Sequence, residues 1–170
     1  MKVCFLYLYT QYLPGNLVYI RNISVEIVSR EEYSPQYRVE HMLTWDTTGD
    51  ICAQNYWLAK DHKNDAVVIL SLGREVIVTG VEMVNTRNCH HRDRGTQEFK
   101  VHIGDTQEGP WHTIVSDTLP DERNMDILPL HTFAADGLIG GSFVKFEQIS
   151  RYGNGGGLQY FAVITGHHSW

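Results

Sequence analysis

The sequence predicts an all-β fold, an antiparallel β-sandwich or barrel. About eight short runs of strand character follow one another at spacings of about 8 to 20 residues, and no amphipathic helix interrupts them. The clearest run alternates Phe99, Val101 and Ile103 with Lys100 and His102. Such alternation is typical of a strand that buries one face and exposes the other.

The predicted strands are separated by turns and loops of glycine, proline and polar residues. The stretch 66–72 is continuously apolar and rich in β-branched residues, which predicts a fully buried strand. Gly73 is expected to end this strand, and Gly80 to mark a bulge or a close backbone approach in the next one. A short helical turn is expected at 39–45, and a loop at 134–141. The predicted strands span residues 22–28, 66–72, 76–84, 98–103, 111–115, 127–133, 143–149 and 158–165.

The composition is that of one globular domain. The chain has 170 residues, of which 42% are hydrophobic and 20% are charged, enough for one domain with a real core. The formal net charge of -6 argues against nonspecific binding of nucleic acid, which requires a cationic surface. No apolar run approaches the roughly 20 residues of a membrane helix, so no transmembrane segment is expected.

The predicted domain spans residues 22–166, with a short tail at 167–170. Residues 1–21 are interpreted as a leader or a gene-model extension. They begin with a lysine and an apolar run, as a signal peptide does, but polar residues interrupt the run and no small-residue cleavage site follows. The sequence Asn22-Ile23-Ser24 is a glycosylation sequon if the chain is secreted.

The three cysteines do not form a disulfide framework or a zinc motif. Their number is odd, and no pair has the spacing of a zinc finger. A bridge between Cys52 and Cys89 is compatible with the sequence if their loops meet, and so are free thiols. The cysteines therefore leave the redox compartment open.

Seven short motifs occur in order along the chain. They are YWLA at 56–59, LSLG at 70–73, VTGVEMVNTRN at 78–88, RDRGTQEFKV at 92–101, GPW at 109–111, FVKF at 143–146 and RYGNGGGLQYFAV at 151–163. Together they resemble the discoidin, or coagulation factor 5/8 type C, family. The resemblance implies a galactose-binding-like jelly roll of two packed antiparallel sheets, without catalytic activity. Members bind glycans, anionic phospholipids or proteins through loops at one end of the sandwich, often in extracellular proteins.

The loop between the third and fourth predicted strands is the first candidate binding site. His90, His91 and Arg92 supply imidazole and guanidinium groups, which suit sugar hydroxyls and carboxylates when a rigid frame holds them. The resemblance places this loop at the binding end of the sandwich. Asp93 and Arg94 are expected to pair with each other and to lock the loop. A solvated loop without a ligand is the alternative.

A second candidate site combines Tyr37, Tyr152 and Asn154. An aromatic ring stacks on the apolar face of a sugar, and an asparagine amide pairs with adjacent hydroxyls. In the alternative interpretation Tyr152 belongs to the core, and the glycines at 155–157 serve only a tight turn.

Metal binding and catalysis receive little support from the sequence. Asp46 and Asp50 lie in a turn whose carboxylate and carbonyl oxygens suit calcium, although a plain Asx turn explains them equally. His90 and His91 are adjacent, so their rings point apart in an extended loop. The nucleophile motif G-x-S-x-G is absent from the sequence. Apart from this calcium site, no cofactor is expected.

The sequence therefore predicts a non-catalytic recognition module. A glycan or glycoprotein is the expected partner, in an extracellular or adhesion context that the family resemblance implies. The alternatives are an anionic phospholipid membrane and a protein partner in adhesion.

Overall fold

The computed structural model describes residues 17–21, 26–29, 31–44, 52 and 56–168. In these residues the secondary structure is almost all strand, with one helix of four residues, which confirms the predicted all-β class. The elements are β1 Leu17–Arg21, β2 Glu26–Ser29, α1 Val39–Met42, β3 Trp57–Leu58, β4 Val67–Asn85, β5 Arg94–Thr96, β6 Glu98–Gly104, β7 His112–Thr118, β8 His131–Gln148, β9 Arg151–Gly153 and β10 Gly157–His168.

Two long strands, β4 and β8, form the frame of the sandwich and pair antiparallel over most of their lengths. Residues 67–71 of β4 pair with residues 143–147 of β8, and residues 69–71 also pair with β2. Residues 77–85 of β4 pair with β10, and residues 76–83 pair with residues 131–141 of β8. The register is interrupted between these halves, where Gly73 has a positive φ of 71°. Each long strand therefore contributes to two parts of the sheet.

The chain folds back at this interruption. A straight strand of 19 residues would be about 60 Å long. Nevertheless Arg94, which follows β4, donates a hydrogen bond of 3.0 Å to the carbonyl of Ala59, which precedes it. Both ends of β4 therefore lie at the same end of the domain, and the bend at 72–75 lies at the other.

The core lies between the two layers and is built around Phe146 of β8. Its ring packs edge-on against Trp57 at 6.0 Å and Phe161 at 5.6 Å, and it stacks on Phe99 at 6.1 Å. All four rings are almost fully buried. Since Phe146 and Phe161 lie in different halves of the folded sheet, this contact joins the layers. The sandwich, rather than the barrel, is thus the observed architecture.

The structure corrects two predicted boundaries. Strands predicted at 66–72 and 76–84 are one strand, and the predicted loop at 134–141 lies inside β8. Glycines in this stretch suggested a loop, but they permit close strand packing. A Cβ on Gly141 would lie 2.6 Å from the Ile103 side chain, and one on Gly80 would lie 2.5 Å from the Phe133 carbonyl oxygen. The close approach predicted at Gly80 is therefore confirmed.

Strand pairing extends beyond both limits of the predicted domain. Strand β1 ends at Arg21, and β2, which begins at Glu26, covers the last part of the strand predicted at 22–28; residues 22–25 lie outside the described residues. The backbone of β1 pairs with β10 from Leu17 opposite His168 to Arg21 opposite Ile164. The interpretation of residues 1–21 as a leader and 167–170 as a tail stays a prediction, but it must accommodate this pairing. Within the described residues, no helix has the length and apolar character needed to cross a membrane.

Candidate functional site

Five loops meet where the two ends of β4 come together. The backbone amide of His62 donates to the carbonyl of Asn154 at 2.8 Å, and the amide of Asn154 donates to the carbonyl of Asp93 at 2.6 Å. The amide of Tyr33 donates to the carbonyl of Leu58 at 2.8 Å. These loops form a surface that we call the loop end; it comprises residues 31–38, 59–66, 86–93, 119–130 and 149–156.

Backbone strain is concentrated at the loop end. Among the described residues, the non-glycine residues with positive φ are His62 at 59°, Asn88 at 59°, Cys89 at 55° and Arg92 at 53°, and all four belong to it. Each costs about 1 kcal/mol or more, and such residues persist where the surroundings enforce them, often in ligand sites. The strain marks the loop end as a surface with a specific shape.

A disulfide bond ties the central loop of this surface to a distant part of the chain. Cys52 and Cys89 are bonded, with Cα atoms 4.6 Å apart, which resolves the choice that the sequence left open. The adjacent His90 offers a ring nitrogen within 4.8 Å of both sulfurs. Sulfurs joined to each other are not thiolates, so this group is unsuited to zinc.

Asp93 is held by two asparagine side chains. Its carboxylate accepts a bond of 2.8 Å from Nδ2 of Asn88 and one of 3.1 Å from Nδ2 of Asn154. Burial alone would raise the pKa of Asp93, but these two hydrogen bonds and the nearby charge of Arg94 together hold it below its ordinary value. Asp93 is therefore an ionised acceptor that fixes the position of Asn154.

Arg94 is the buried centre of the loop end. Its side chain is 4% exposed, and its guanidinium donates to the Ala59 carbonyl and pairs with the Asp61 carboxylate. The prediction that Arg94 pairs with Asp93 is wrong, because the partner lies 33 residues earlier in the chain. A Cβ on Gly155 would lie 2.4 Å from the guanidinium, so this glycine leaves space for the arginine.

An aromatic row lies over Arg94. The guanidinium carbon of Arg94 is 4.3 Å from the centre of the Tyr33 ring, which is 46% exposed. Tyr37 lies 6.1 Å from Tyr33 and stacks on Tyr56 at 5.3 Å. The Tyr56 hydroxyl donates to Oδ1 of Asn88 at 3.3 Å. Burial, and then the neighbouring Tyr37, raise the pKa of Tyr56 well above its ordinary value, so it remains a neutral donor.

Five of the six predicted ligand residues lie in one network or on the loop next to it, and the sixth, Tyr152, has a different role. Tyr37 and Asn154 join one network through Tyr56, Asn88 and Asp93. His90, His91 and Arg92 are exposed on the neighbouring loop. Nη2 of Arg92 lies 3.6 Å from the Asp126 carboxylate.

Tyr152 contacts the protein rather than presenting its ring to a ligand. Its hydroxyl donates to the Leu119 carbonyl at 2.9 Å, the Arg123 guanidinium lies 5.6 Å from its ring centre, and its ring faces Gly95. This geometry favours the packing role that was its alternative interpretation. The proposed calcium ligands, Asp46 and Asp50, lie outside the described residues.

Sequence reasoning did not select Tyr33, Tyr56 and Asp61. Their roles depend on contacts across more than 30 positions, such as the 33 that separate Asp61 from Arg94. One available signal was the spacing of Tyr33 and Tyr37 on either side of Pro35, which predicts a turn carrying two rings.

Solved structures with a similar fold include carbohydrate-binding modules. The family 32 module of NanJ from Clostridium perfringens, solved with galactose, has a TM-score of 0.60 and 14% identity, covering 86% of this chain and 99% of that one. This chain has a galactose-binding-like fold. The family 32 module of EndoD from Streptococcus pneumoniae has a TM-score of 0.62 and 12% identity, covering 84% and 97%.

A chitosan-binding module from a Paenibacillus sp. IK-5 chitosanase/glucanase is similar to the same degree. Its TM-score is 0.60 at 12% identity, with coverage of 84% of this chain and 94% of that one. Neither a family model nor a curated protein matches the sequence. The galactose-binding-like sandwich that the sequence motifs imply is therefore confirmed as a fold.

Proposed function

We propose that the chain is a non-catalytic glycan-binding module of the discoidin family that works outside the cell, in adhesion or in the extracellular matrix. The observation that carries the proposal is the exposed Tyr33 ring, backed by Arg94 and placed beside Tyr37 and Asn154 on a strained, cross-linked set of loops. Structures with the same fold include modules solved with galactose and with GalNAc, which supports a sugar as the ligand.

The arrangement suits a pyranose ring. The apolar face of the sugar stacks on an exposed tyrosine, and its hydroxyls take hydrogen bonds from Asn154 and from the imidazole and guanidinium groups of His90, His91 and Arg92. Asp93 and the disulfide hold these groups in place before the ligand arrives. Such preorganisation reduces the entropy lost on binding, which matters because a single sugar buries little surface.

A glycan array with the purified chain, followed by calorimetry on the best ligand, tests the proposal. The double variant His91→Ala/Arg92→Ala is expected to lose at least tenfold in affinity, about 1.4 kcal/mol, without loss of stability. Arg74→Ala is the matched control, because Arg74 is exposed at the bend of β4, away from the loop end. Equal affinity in the double variant and the control would refute this site.

Two further results of the array are informative. Binding that is lost with a calcium chelator would support the calcium site at Asp46 and Asp50. A blank array would refute the glycan and would favour the anionic phospholipid or the protein partner that the sequence left as alternatives. Sedimentation with phosphatidylserine vesicles then distinguishes those two.

A further inference from the structure

Two cysteines and a histidine converge at one point beside the loop 86–93. The Sγ atoms of Cys52 and Cys89 and a ring nitrogen of His90 all lie within 4.8 Å of one another. Both cysteines are half-buried and His90 is exposed, so small solutes can reach the group. Thiolate sulfur and imidazole nitrogen are the ligands that zinc prefers in proteins. The disulfide therefore engages two sulfurs that would be zinc ligands as thiolates.

The backbone of the loop brings neighbouring side chains to the same point. Side chains at consecutive positions of an extended chain point in opposite directions. Asn88 and Cys89 instead have positive φ angles of 59° and 55°, and this left-handed turn brings the Cys89 sulfur and the His90 ring nitrogen together. The amide of His91 closes the turn, because it donates to the carbonyl of Asn88 at 3.1 Å. The position of the His90 ring therefore depends on the backbone of the loop as well as on the disulfide.

We propose that the cross-link between these two parts of the chain is exchangeable: a small thiol reduces the disulfide, and one zinc ion then binds Cys52, Cys89 and His90. Two molecules of a thiol such as glutathione become one disulfide, and their two electrons and two protons convert the protein disulfide into two thiols. Zinc displaces the two thiol protons, so the loaded site is formally neutral. Three protein ligands leave the fourth tetrahedral position to a water molecule.

The structural change that this exchange requires is small. In a tetrahedral site with Zn–S bonds of about 2.3 Å and a Zn–N bond of about 2.0 Å, the sulfurs lie about 3.8 Å apart and each lies about 3.5 Å from the nitrogen. Ligand atoms that already lie within 4.8 Å of one another reach this geometry by shifts on the order of 1 Å. Rotation of the exposed His90 side chain supplies part of this movement. Zinc would then hold the loop 86–93 to Cys52 under conditions that open the disulfide.

Competition with a chromophoric zinc chelator tests this inference on the full chain. The oxidised chain is compared with a chain reduced by a phosphine, which is removed by gel filtration without air before zinc is added. Cobalt(II) is the second probe, because thiolate ligands in tetrahedral geometry give it intense charge-transfer and visible d–d bands. The test variants are Cys89→Ser and His90→Ala. The matched controls are Cys4→Ser, which removes the third cysteine of the sequence, and His112→Ala, which removes an exposed histidine of β7.

The expected result is one tightly bound zinc ion for each reduced chain and none for the oxidised chain. Cys89→Ser and His90→Ala should each weaken binding by at least about tenfold, and both controls should bind as wild type does. Zinc should also raise the thermal midpoint of the reduced wild type, because it binds the folded state. Equal zinc binding by the oxidised chain, no binding by the reduced chain, or wild-type affinity in His90→Ala would each overturn the inference. Loss of binding in Cys4→Ser would assign the metal to other ligands and overturn it as well. None of these measurements involves a sugar, so their outcome is independent of the proposed function.

Discussion

Replacing Arg94 by methionine should destabilise the domain by about 2.5 to 5 kcal/mol. Methionine fills part of the volume but leaves the Ala59 carbonyl without its charged donor at 3.0 Å, a loss of about 1.5 to 3 kcal/mol. The ion pair with Asp61, which is 44% exposed, adds about 0.5 to 1 kcal/mol. The contact with the Tyr33 ring at 4.3 Å adds about 0.5 to 1 kcal/mol.

Urea denaturation followed by tryptophan fluorescence measures this loss, and a thermal melt should show a midpoint lowered by about 10 °C. Arg74→Met is the matched control, since an exposed arginine far from such contacts changes stability by no more than about 0.5 kcal/mol. Asp61→Asn alone should cost less than about 1 kcal/mol. A loss below about 1 kcal/mol for Arg94→Met would show that the loop end does not depend on this arginine.

Three further outcomes follow from the contacts. Gly157→Ala places a Cβ 2.3 Å from the backbone oxygen of Trp57 and should lower the stability measured by urea denaturation by about 1 to 3 kcal/mol. The control Gly140→Ala meets only the movable end of a side chain within 3.5 Å and should leave the stability nearly unchanged. Cys89→Ser removes a disulfide between residues 37 positions apart and should lower the free energy of unfolding by about 2 to 4 kcal/mol. A variant that is as stable as the oxidised wild type would contradict this. Asp93 has a lowered pKa in the folded state, so its contribution is present above the unfolded value of about 4 and disappears as the pH falls through the folded value. Asp93→Asn should therefore flatten the dependence of stability on pH below about pH 4, and parallel curves for variant and wild type would exclude this role.

The fold class was predictable because a strand with one buried face shows alternating apolar and polar residues in the sequence. Phe99, Val101 and Ile103 are all buried in the core, as their alternation predicts. The length of the two frame strands was not predictable, because Gly73 and Gly141 look like strand ends in a local window. In the structure Gly73 lies at a bend, and Gly141 lies close to Ile103. Both roles depend on residues that are distant in the sequence.

The position of the polar loop at one end of the sandwich was predictable, but the contacts between its side chains were not. The polar loop with His90, His91 and Arg92 is exposed at the loop end, as the sequence suggested. The partner of Arg94 was assigned to the adjacent Asp93, because short separation is the only proximity that a sequence shows. The true partner, Asp61, becomes a neighbour only when β4 folds back.

The pairing of β1 with β10 determines how the domain can be attached to anything else. Leu17 lies opposite His168, and Gly166 lies opposite Ile77 near the bend, so the polypeptide enters and leaves the sandwich side by side at the pole away from the loops. The described strands therefore begin at Leu17 and end at His168 at the pole opposite the loop end. Attachment to a surface or to a second module at this pole would leave the loop end facing outward, an orientation that permits simultaneous engagement of a multivalent target.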